Sequence, residues 1–364
     1  MGDVSPQSYF DRQMRVSGWG AVGQKRLTHA RVLVVGLGGL GCPVASALAR
    51  AGVGGLILAD ADRVEASNLP RQTLFTLAEC GELKVEAARR ALVQANPWIN
   101  IETTGRVDSF QVRQLIEKAD LVIEGSDNLE TKFLVHDACR AGGKPLVLGA
   151  LYQWECLTTT FRFDRSPSPC WRCLYPEQPP DGCVGVCSEV GVAGALAGVA
   201  GNLMALVATR LLLGHETVEG TIVFDATDGT TRTLKWHQRP DCSCAQALGD
   251  WSWLETYQNS RAQKKLSVSW DALAPSQRAV VVDLREQEEI RDGEWAWFEK
   301  HGSVVIHRPW SQWALASQVW NPEISYLLVC AKGFRSEKAL QTLPPGLRAY
   351  SLSGGLKGLA VYSV

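Results

Sequence analysis

The chain has 364 residues, 46% hydrophobic and 21% charged, with 37 Lys+Arg against 38 Asp+Glu. At roughly 150 residues per domain that is two or three domains with ample apolar material for cores, so wholesale disorder is excluded. A net charge of -1 lacks the basic surplus needed to bind along a nucleic-acid backbone.

Met1 to Phe10 shows no apolar signal-peptide core, and the cysteine count of 11 is odd. These features predict cytoplasmic thiols kept for metal or catalysis rather than for disulfides. A helix is expected around Gln7 to Arg15. The apolar run Arg31 to Val35 has strand length and ends in Gly36-Leu-Gly-Gly-Leu-Gly41. A small-residue helix (Ala45 to Ala51) follows, then a strand, Leu56 to Ala59, closing on Asp60. Further strands are expected at Ile99 to Thr103, Leu121 to Glu124 and Leu146 to Leu148, with helices between them, notably Leu83 to Gln94. Strands alternating with helices predict an α/β fold with a doubly wound, mostly parallel sheet. Val190 to Thr209 carries no charge. Its Ala, Gly and Val content around Asn202 reads as a tightly packed buried helix rather than a membrane span, so no membrane is expected. Cys42, Cys80, Cys139 and Cys156 lie in apolar contexts and read as core residues. Composition changes near Cys244, and eight of the 13 tryptophans lie beyond residue 250. The expected organisation is a domain over 1–245, a linker over 246–270 and a small domain over 271–364.

Gly36, Gly38 and Gly41 form G-x-G-x-x-G between a strand and a helix, as a Rossmann-like nucleotide site requires. The first glycine permits the tight turn, the second lets phosphate approach the backbone, and the helix N-terminus adds partial positive charge. Asp60 is placed to accept hydrogen bonds from ribose hydroxyls. Alone, this module favours NAD or FAD. Arg71 within Ser67-Asn-Leu-Pro-Arg-Gln72, Lys84 at a helix start and Arg12 on the first helix are more cations than a bridging pyrophosphate needs. They suit a triphosphate whose outer groups leave together. Asp127-Asn128 follows the Leu121 to Glu124 strand at the carboxyl edge of the sheet, where an acid is a natural Mg²⁺ ligand.

Gly36-Leu-Gly-Gly-Leu-Gly-Cys42, Leu58-Ala-Asp-Ala-Asp62, Ser67-Asn-Leu-Pro-Arg-Gln72, Lys84 and Ser126-Asp-Asn128 together resemble the ubiquitin-activating-enzyme-like adenylyltransferases. The likeness covers Tyr9 to Cys244 and is narrower still with the bacterial enzymes that activate sulfur carriers for molybdopterin and thiamine synthesis. It implies a homodimer that uses ATP-Mg²⁺ to adenylate the C-terminal Gly-Gly carboxylate of a ubiquitin-like sulfur-carrier protein. Gly38 and Gly39 would then lie at the phosphates, Asp60 at the ribose, and Asn68, Arg71 and Lys84 at the triphosphate. Asp127 would hold Mg²⁺ beside Asn128, and Arg12 would reach the partner subunit's site. Where the family usually has a polar residue this chain has Pro70. Cys170-Trp-Arg-Cys173 and Cys242-Ser-Cys244 match the position of two C-x-x-C pairs that hold structural zinc in the family, although the second pair here is C-x-C. A redox role for the first pair is weaker, because Cys170 follows Pro169 and is not expected to open a helix. Cys187 aligns with the cysteine of fused relatives that takes part in thioester or acyl-persulfide exchange, with Cys183 as an extra neighbour.

Near the C-terminus, Val280 to Arg285 and Leu327 to Cys330 read as buried strands. The loop Cys330-Ala-Lys-Gly-Phe-Arg-Ser336 then precedes a helix, Glu337 to Leu340. A strand–loop–helix turn aims backbone N–H groups at the sulfur, favouring a thiolate or persulfide, and Arg335 adds charge. With Asp283-Leu-Arg-Glu286 and Leu352-Ser-Gly-Gly-Leu356, the region resembles rhodanese-type sulfurtransferases. That likeness implies sulfane sulfur on Cys330, taken from a persulfide donor such as a cysteine desulfurase. The alternatives are an NAD(P)-dependent Rossmann oxidoreductase or a non-enzymatic adaptor retaining both folds. The motifs do not distinguish molybdopterin, thiamine and tRNA-thiolation carriers.

Overall fold

The computed structural model describes residues 5–165, 168–176, 191–242, 247–254, 257, 267–273, 275–278, 280–291, 293–313, 320–331, 333–344, 347–352, 355–356 and 359. The chain divides into two compact units, Met1–Leu254 and Glu255–Val364.

In the first unit the runs without charge become the buried centre of a sheet. Strands β1 (Arg31–Val35), β2 (Gly55–Ala59), β3 (Asn100–Thr104), β4 (Leu121–Glu124) and β5 (Leu146–Tyr152) are parallel. β6 (Glu155–Phe161), β7 (Gly220–Asp225) and β8 (Thr231–Leu234) extend it antiparallel, in the order β3-β2-β1-β4-β5-β6-β7-β8. β1 lies between β2 and β4, so the strand order reverses there. The crevice outside the carboxyl ends of β1 and β4 is where such sheets bind ligands. Helices α1 (Pro6–Met14), α2 (Gly20–His29), α3 (Gly41–Ala51), α4 (Lys84–Ala95), α5 (Val112–Lys118) and α6 (Leu129–Gly142) alternate with the strands. α3 and α6 each end on a glycine with positive φ, Gly52 and Gly143, the left-handed stop a side chain would strain.

The uncharged stretch near residue 200 is the 19-residue helix Gly194–Leu212. After the short turn α7 (Trp171–Leu174) it is α8, and it is apolar and long enough to cross a membrane by length and composition. It is not buried all round. Ala197, Ala200, Met204 and Ala208 enter the core, while Val199 and Leu206 are 45% and 57% exposed on the other face. Gly201 lets α8 close on α3, because a Cβ there would strike Pro43 and the Leu40 carbonyl.

Two expectations need correcting. Cys42, Cys139 and Cys156 are buried, but Cys80 is exposed. It follows a surface 3-10 turn whose apolar Leu77 is itself 74% exposed, so apolar neighbours did not mean a core. Both ends of the expected linker belong to folded units. Gly249 N–H reaches the Ala141 carbonyl (2.8 Å), and the Arg113 guanidinium lies over the Trp251 ring. At the other end, β9 (Ser267–Val268) pairs with a strand of the second unit.

That second unit is a five-stranded parallel sheet. Its other strands are β10 (Val280–Asp283), β11 (Val304–His307), β12 (Ser325–Val329) and β13 (Arg348–Leu352), in the order β11-β10-β12-β13-β9. Alternate residues feed two cores. Val281, Leu327 and Val329 pack with Trp270 and Phe298 on one face, and Val282, Leu328 and Cys330 with Ala339 on the other. After the short helices α9 (Ala296–Lys300) and α10 (Trp310–Trp313), α11 spans Phe334–Gln341, one turn earlier than the sequence suggests.

Candidate active site

The three glycines of the loop after β1 do different work. Gly36 has φ +84, and a Cβ there would lie 2.9 Å from the Ser126 nitrogen, so this glycine lets the β1 and β4 loops meet. At Gly41 a Cβ would collide with the Gly36 carbonyl. At Gly38 the nearest atom is the Gln72 amide nitrogen, 4.0 Å away. Gly38 therefore faces open space at the start of α3, a cradle that fits a phosphate approaching backbone N–H groups. Gly39 is closed, since a Cβ there would lie 3.2 Å from the Ala197 Cβ and 3.4 Å from the Arg71 Cγ.

Asp60, at the end of β2, accepts Leu37 N–H on Oδ2 and Asp62 N–H on Oδ1, both at 2.7 Å. Each oxygen keeps a lone pair for a hydroxyl. Burial raises the Asp60 carboxyl pKa, partly offset by those two N–H groups and by Lys84. Lys84 opens α4, is buried, and holds Asp62 Oδ2 at 3.0 Å. Arg71 donates to Asn68 Oδ1 (2.7 Å) and to the Ser67 carbonyl (3.1 Å). Asn68, expected at the triphosphate, thus uses its side-chain oxygen to hold Arg71. Gln72 was missed as a site residue. It is buried near Gly38, and among the described residues its Oε1 finds no hydrogen-bond partner.

Asp127 is exposed in the turn after β4, a hard-oxygen donor of the kind magnesium takes. Asn128 caps α6, its Oδ1 accepting Thr131 N–H at 3.0 Å, which fixes the amide at the head of the helix. Sequence reasoning also missed the buttress beneath this turn. Glu124 and Lys132 form a buried ion pair at 2.5 Å, Lys132 also donates to the Gly149 carbonyl, and Ser126 donates to Glu124 through its backbone and hydroxyl. Burial pushes the Glu124 carboxyl up, against the pull of Lys132.

Arg12 is not brought to this cluster. It is exposed on α1, whose Gln13 and Tyr9 side chains bond the Ala51 and Ala95 carbonyls at the far ends of α3 and α4. The 11 residues of α3 put that end about 16 Å from the glycine loop.

Cys170, Cys173 and Cys242 come together, with Cys170 Sγ 3.7 and 3.6 Å from the other two sulfurs. Tetrahedral Zn–S bonds near 2.3 Å place sulfurs ~3.8 Å apart, so these thiols fit a zinc ion. Cys244, Cys183 and Cys187 lie outside the described residues. Contrary to expectation, Cys170 is the N-cap of a helix, α7. The turn rests on His136, whose neutral ring accepts Trp171 N–H on Nε2 (2.9 Å) and donates from Nδ1 to Asp137 (3.0 Å). Burial lowers the His136 pKa. Burial alone would raise Asp137, but bonds from His136 and Arg172 outweigh it and hold the carboxyl below its usual range.

In the second unit Cys330 is buried immediately after β12. Its Sγ accepts Gly333 N–H at 3.1 Å, and the Ser336 hydroxyl lies 3.7 Å away. Arg335 forms a two-pronged pair with Glu289 at 2.5 and 2.6 Å. This pair and the approach of the guanidinium to Cys330 raise the arginine pKa further. Asp283 and Arg285, both buried, lock the neighbouring β10 turn together with Glu294.

Residues 10–245 match the ThiF family model. The sulfur carrier protein adenylyltransferase of Thermus thermophilus is 41% identical over 239 residues, which are 64% of this chain and 88% of that one. The adenylyltransferase and sulfurtransferase MOCS3-1 of Drosophila pseudoobscura pseudoobscura is 31% identical over 377 residues, covering 97% of this chain and 82% of its own. The match to the Drosophila willistoni adenylyltransferase and sulfurtransferase MOCS3 spans only about half of that protein, 50% of its length. Among solved structures, E. coli MccB with MccA-N7isoASN shares the fold at TM-score 0.58 and 20% identity, covering 65% of this chain and 74% of that one. The family model spans residues 10–245, well over half of the sequence and the whole of the sheet that carries the glycine loop, and the chain belongs to the ThiF family.

Proposed function

We propose that the chain uses ATP to adenylate the C-terminal Gly-Gly carboxylate of a ubiquitin-like sulfur-carrier protein, and that its second unit supplies sulfur to the activated carboxyl. The open face of Gly38 among Asp60, Arg71 and Lys84 carries this reading. A carboxylate oxygen attacks the α-phosphorus as the bond to the β-phosphate oxygen breaks, so the site must neutralise departing pyrophosphate rather than supply a nucleophile. Arg71 and Lys84 do so, Asp60 orients the ribose, and Asp127 holds Mg²⁺, which would supply further charge neutralisation. Arg12, remote within its own chain, serves the partner's site in a homodimer.

Sulfur enters when the Cys330 thiolate attacks the sulfane sulfur of a persulfide donor such as a cysteine desulfurase. The donor's S–S bond breaks, its thiolate leaves, and Cys330 carries the persulfide. The outer sulfur of that persulfide then displaces AMP from the acyl carbon. Cys187 attacks Cys330 Sγ, releasing the thiocarboxylate and leaving a disulfide that a thiol reductant returns to two thiols. Cys170, Cys173 and Cys242, with Cys244, hold structural zinc. The protein acts in the cytoplasm.

Pyrophosphate exchange into ATP that requires a Gly-Gly-ending carrier, and a mass increase of that carrier when a persulfide donor is added, test the reading. Exchange that persists in Asp127→Ala sinks the site assignment.

A further inference from the structure

We propose that Gly194, at the start of α8, is a positioning residue that sets the pose of Arg71. The inference rests on Arg71 being a triphosphate ligand. α8 begins against the Pro70–Arg71 backbone. A Cβ on Gly194 would overlap the Pro70 carbonyl oxygen, and would lie 3.1 Å from the Pro70 carbonyl carbon and 3.6 Å from the Arg71 Cα. One turn along, the fully buried Ala197 faces Gly39, where an added Cβ would also lie 3.4 and 3.5 Å from the Arg71 Cγ and Cδ. The arginine is therefore held from three directions. Its backbone rests on the first turn of α8, its stem lies along Gly39, and its guanidinium is tied to Asn68 and the Ser67 carbonyl.

The seat is itself fixed. Leu196 is buried in the main core, and Val192, just before α8, bridges Gln153 of the β5–β6 turn. Gln153 holds φ 51, a strained conformation for a residue with a side chain. An added methyl at Gly194 cannot be absorbed by moving α8, so it moves Arg71. Pro70 suits the arrangement, since its ring fixes φ in the residue whose carbonyl meets the helix.

MgATP titration of the full-length protein by calorimetry tests this, with Gly198→Ala as control, because nothing lies within 4 Å of a Cβ at Gly198. Gly194→Ala should weaken MgATP binding about tenfold, the size of a modest overpacking penalty, and Gly198→Ala less than about twofold. In an Arg71→Ala background Gly194→Ala should add less than about twofold, because both changes act on one group. If Gly194→Ala does not fold, Ala197→Gly loosens the same seat and should cost about threefold, again only while Arg71 is present. Wild-type affinity in Gly194→Ala, or equal losses with and without Arg71, overturns the proposal while leaving Arg71 as a ligand. Wild-type affinity in Arg71→Ala removes the underlying reading, and the proposal with it.

Discussion

Cys42 and Cys330 stand at comparable places in the two units, where a strand of a parallel sheet gives way to a loop and helix. They are equally hidden, at 0% and 1% exposure. Their surroundings differ. Cys42 donates its S–H to the Leu37 carbonyl (3.3 Å), and burial pushes its thiol up to about 12 against the pull of a Leu74 backbone hydrogen bond. Cys330 accepts Gly333 N–H at 3.1 Å, within the loop that leads into α11. Two cysteines equally hidden thus sit in different hydrogen-bonding settings. In the first loop Gly38 faces open space, and in the second the Gly333 N–H is turned on the sulfur.

The largest expected effect separates the units. Cys330→Ala should reduce persulfide loading at least about a hundredfold, as loss of a nucleophile does. Pyrophosphate exchange should stay within about twofold, since adenylation uses no protein nucleophile. Parallel loss of both would erase the contrast. Next in size is Lys132→Met, which strands Glu124 in the interior and should cost about 3–5 kcal/mol of stability by denaturant titration. Its pH dependence has a definite sign. The folded-state pKa of Glu124 is raised, so above the ordinary value of 4.5 the native state binds more protons than the unfolded state. Stability of Lys132→Met should rise as pH falls from neutrality toward that value. A flat profile would show that Glu124 finds another partner.

A smaller loss is expected at the cysteine cluster. His136→Ala leaves Trp171 N–H without its acceptor, costing about 1–3 kcal/mol, and should also lower retained zinc per chain, read by metal analysis after dialysis against a chelator. Zinc content equal to wild type would mean the turn holds its own shape. His136 shows what the sequence conceals. The glycine loop, the Asp60 strand end and the Cys330 loop were legible because backbone geometry imposes those residues at fixed local spacing. The Glu124–Lys132 pair, the use of Asn68 on Arg71 and the His136–Trp171 bond depend on which side chains meet after folding. No local period encodes them. The half-open α8 and the surface position of Cys80 eluded reading for a related reason, since apolar composition does not say which face finds a neighbour.

The smallest effect is the sharpest test of the contrast. Cys42→Ala removes a buried sulfur bonded to the Leu37 carbonyl and the Leu74 backbone, so it should cost about 1 kcal/mol and leave exchange within about twofold. Native protein treated with iodoacetamide at pH 8 carries its own reference, because Cys80 is exposed. With its thiol raised to about 12, Cys42 is ionised only to about one part in ten thousand at that pH, and it is also sterically closed. Mass spectrometry of tryptic peptides should find Cys80 alkylated and Cys42 untouched until denaturant is added. Alkylation of Cys42 at the pace of Cys80 in folded protein would mean the glycine loop opens on the labelling timescale. In that case the closed packing at Gly36 and Gly41 would not be what holds the phosphate cradle in shape.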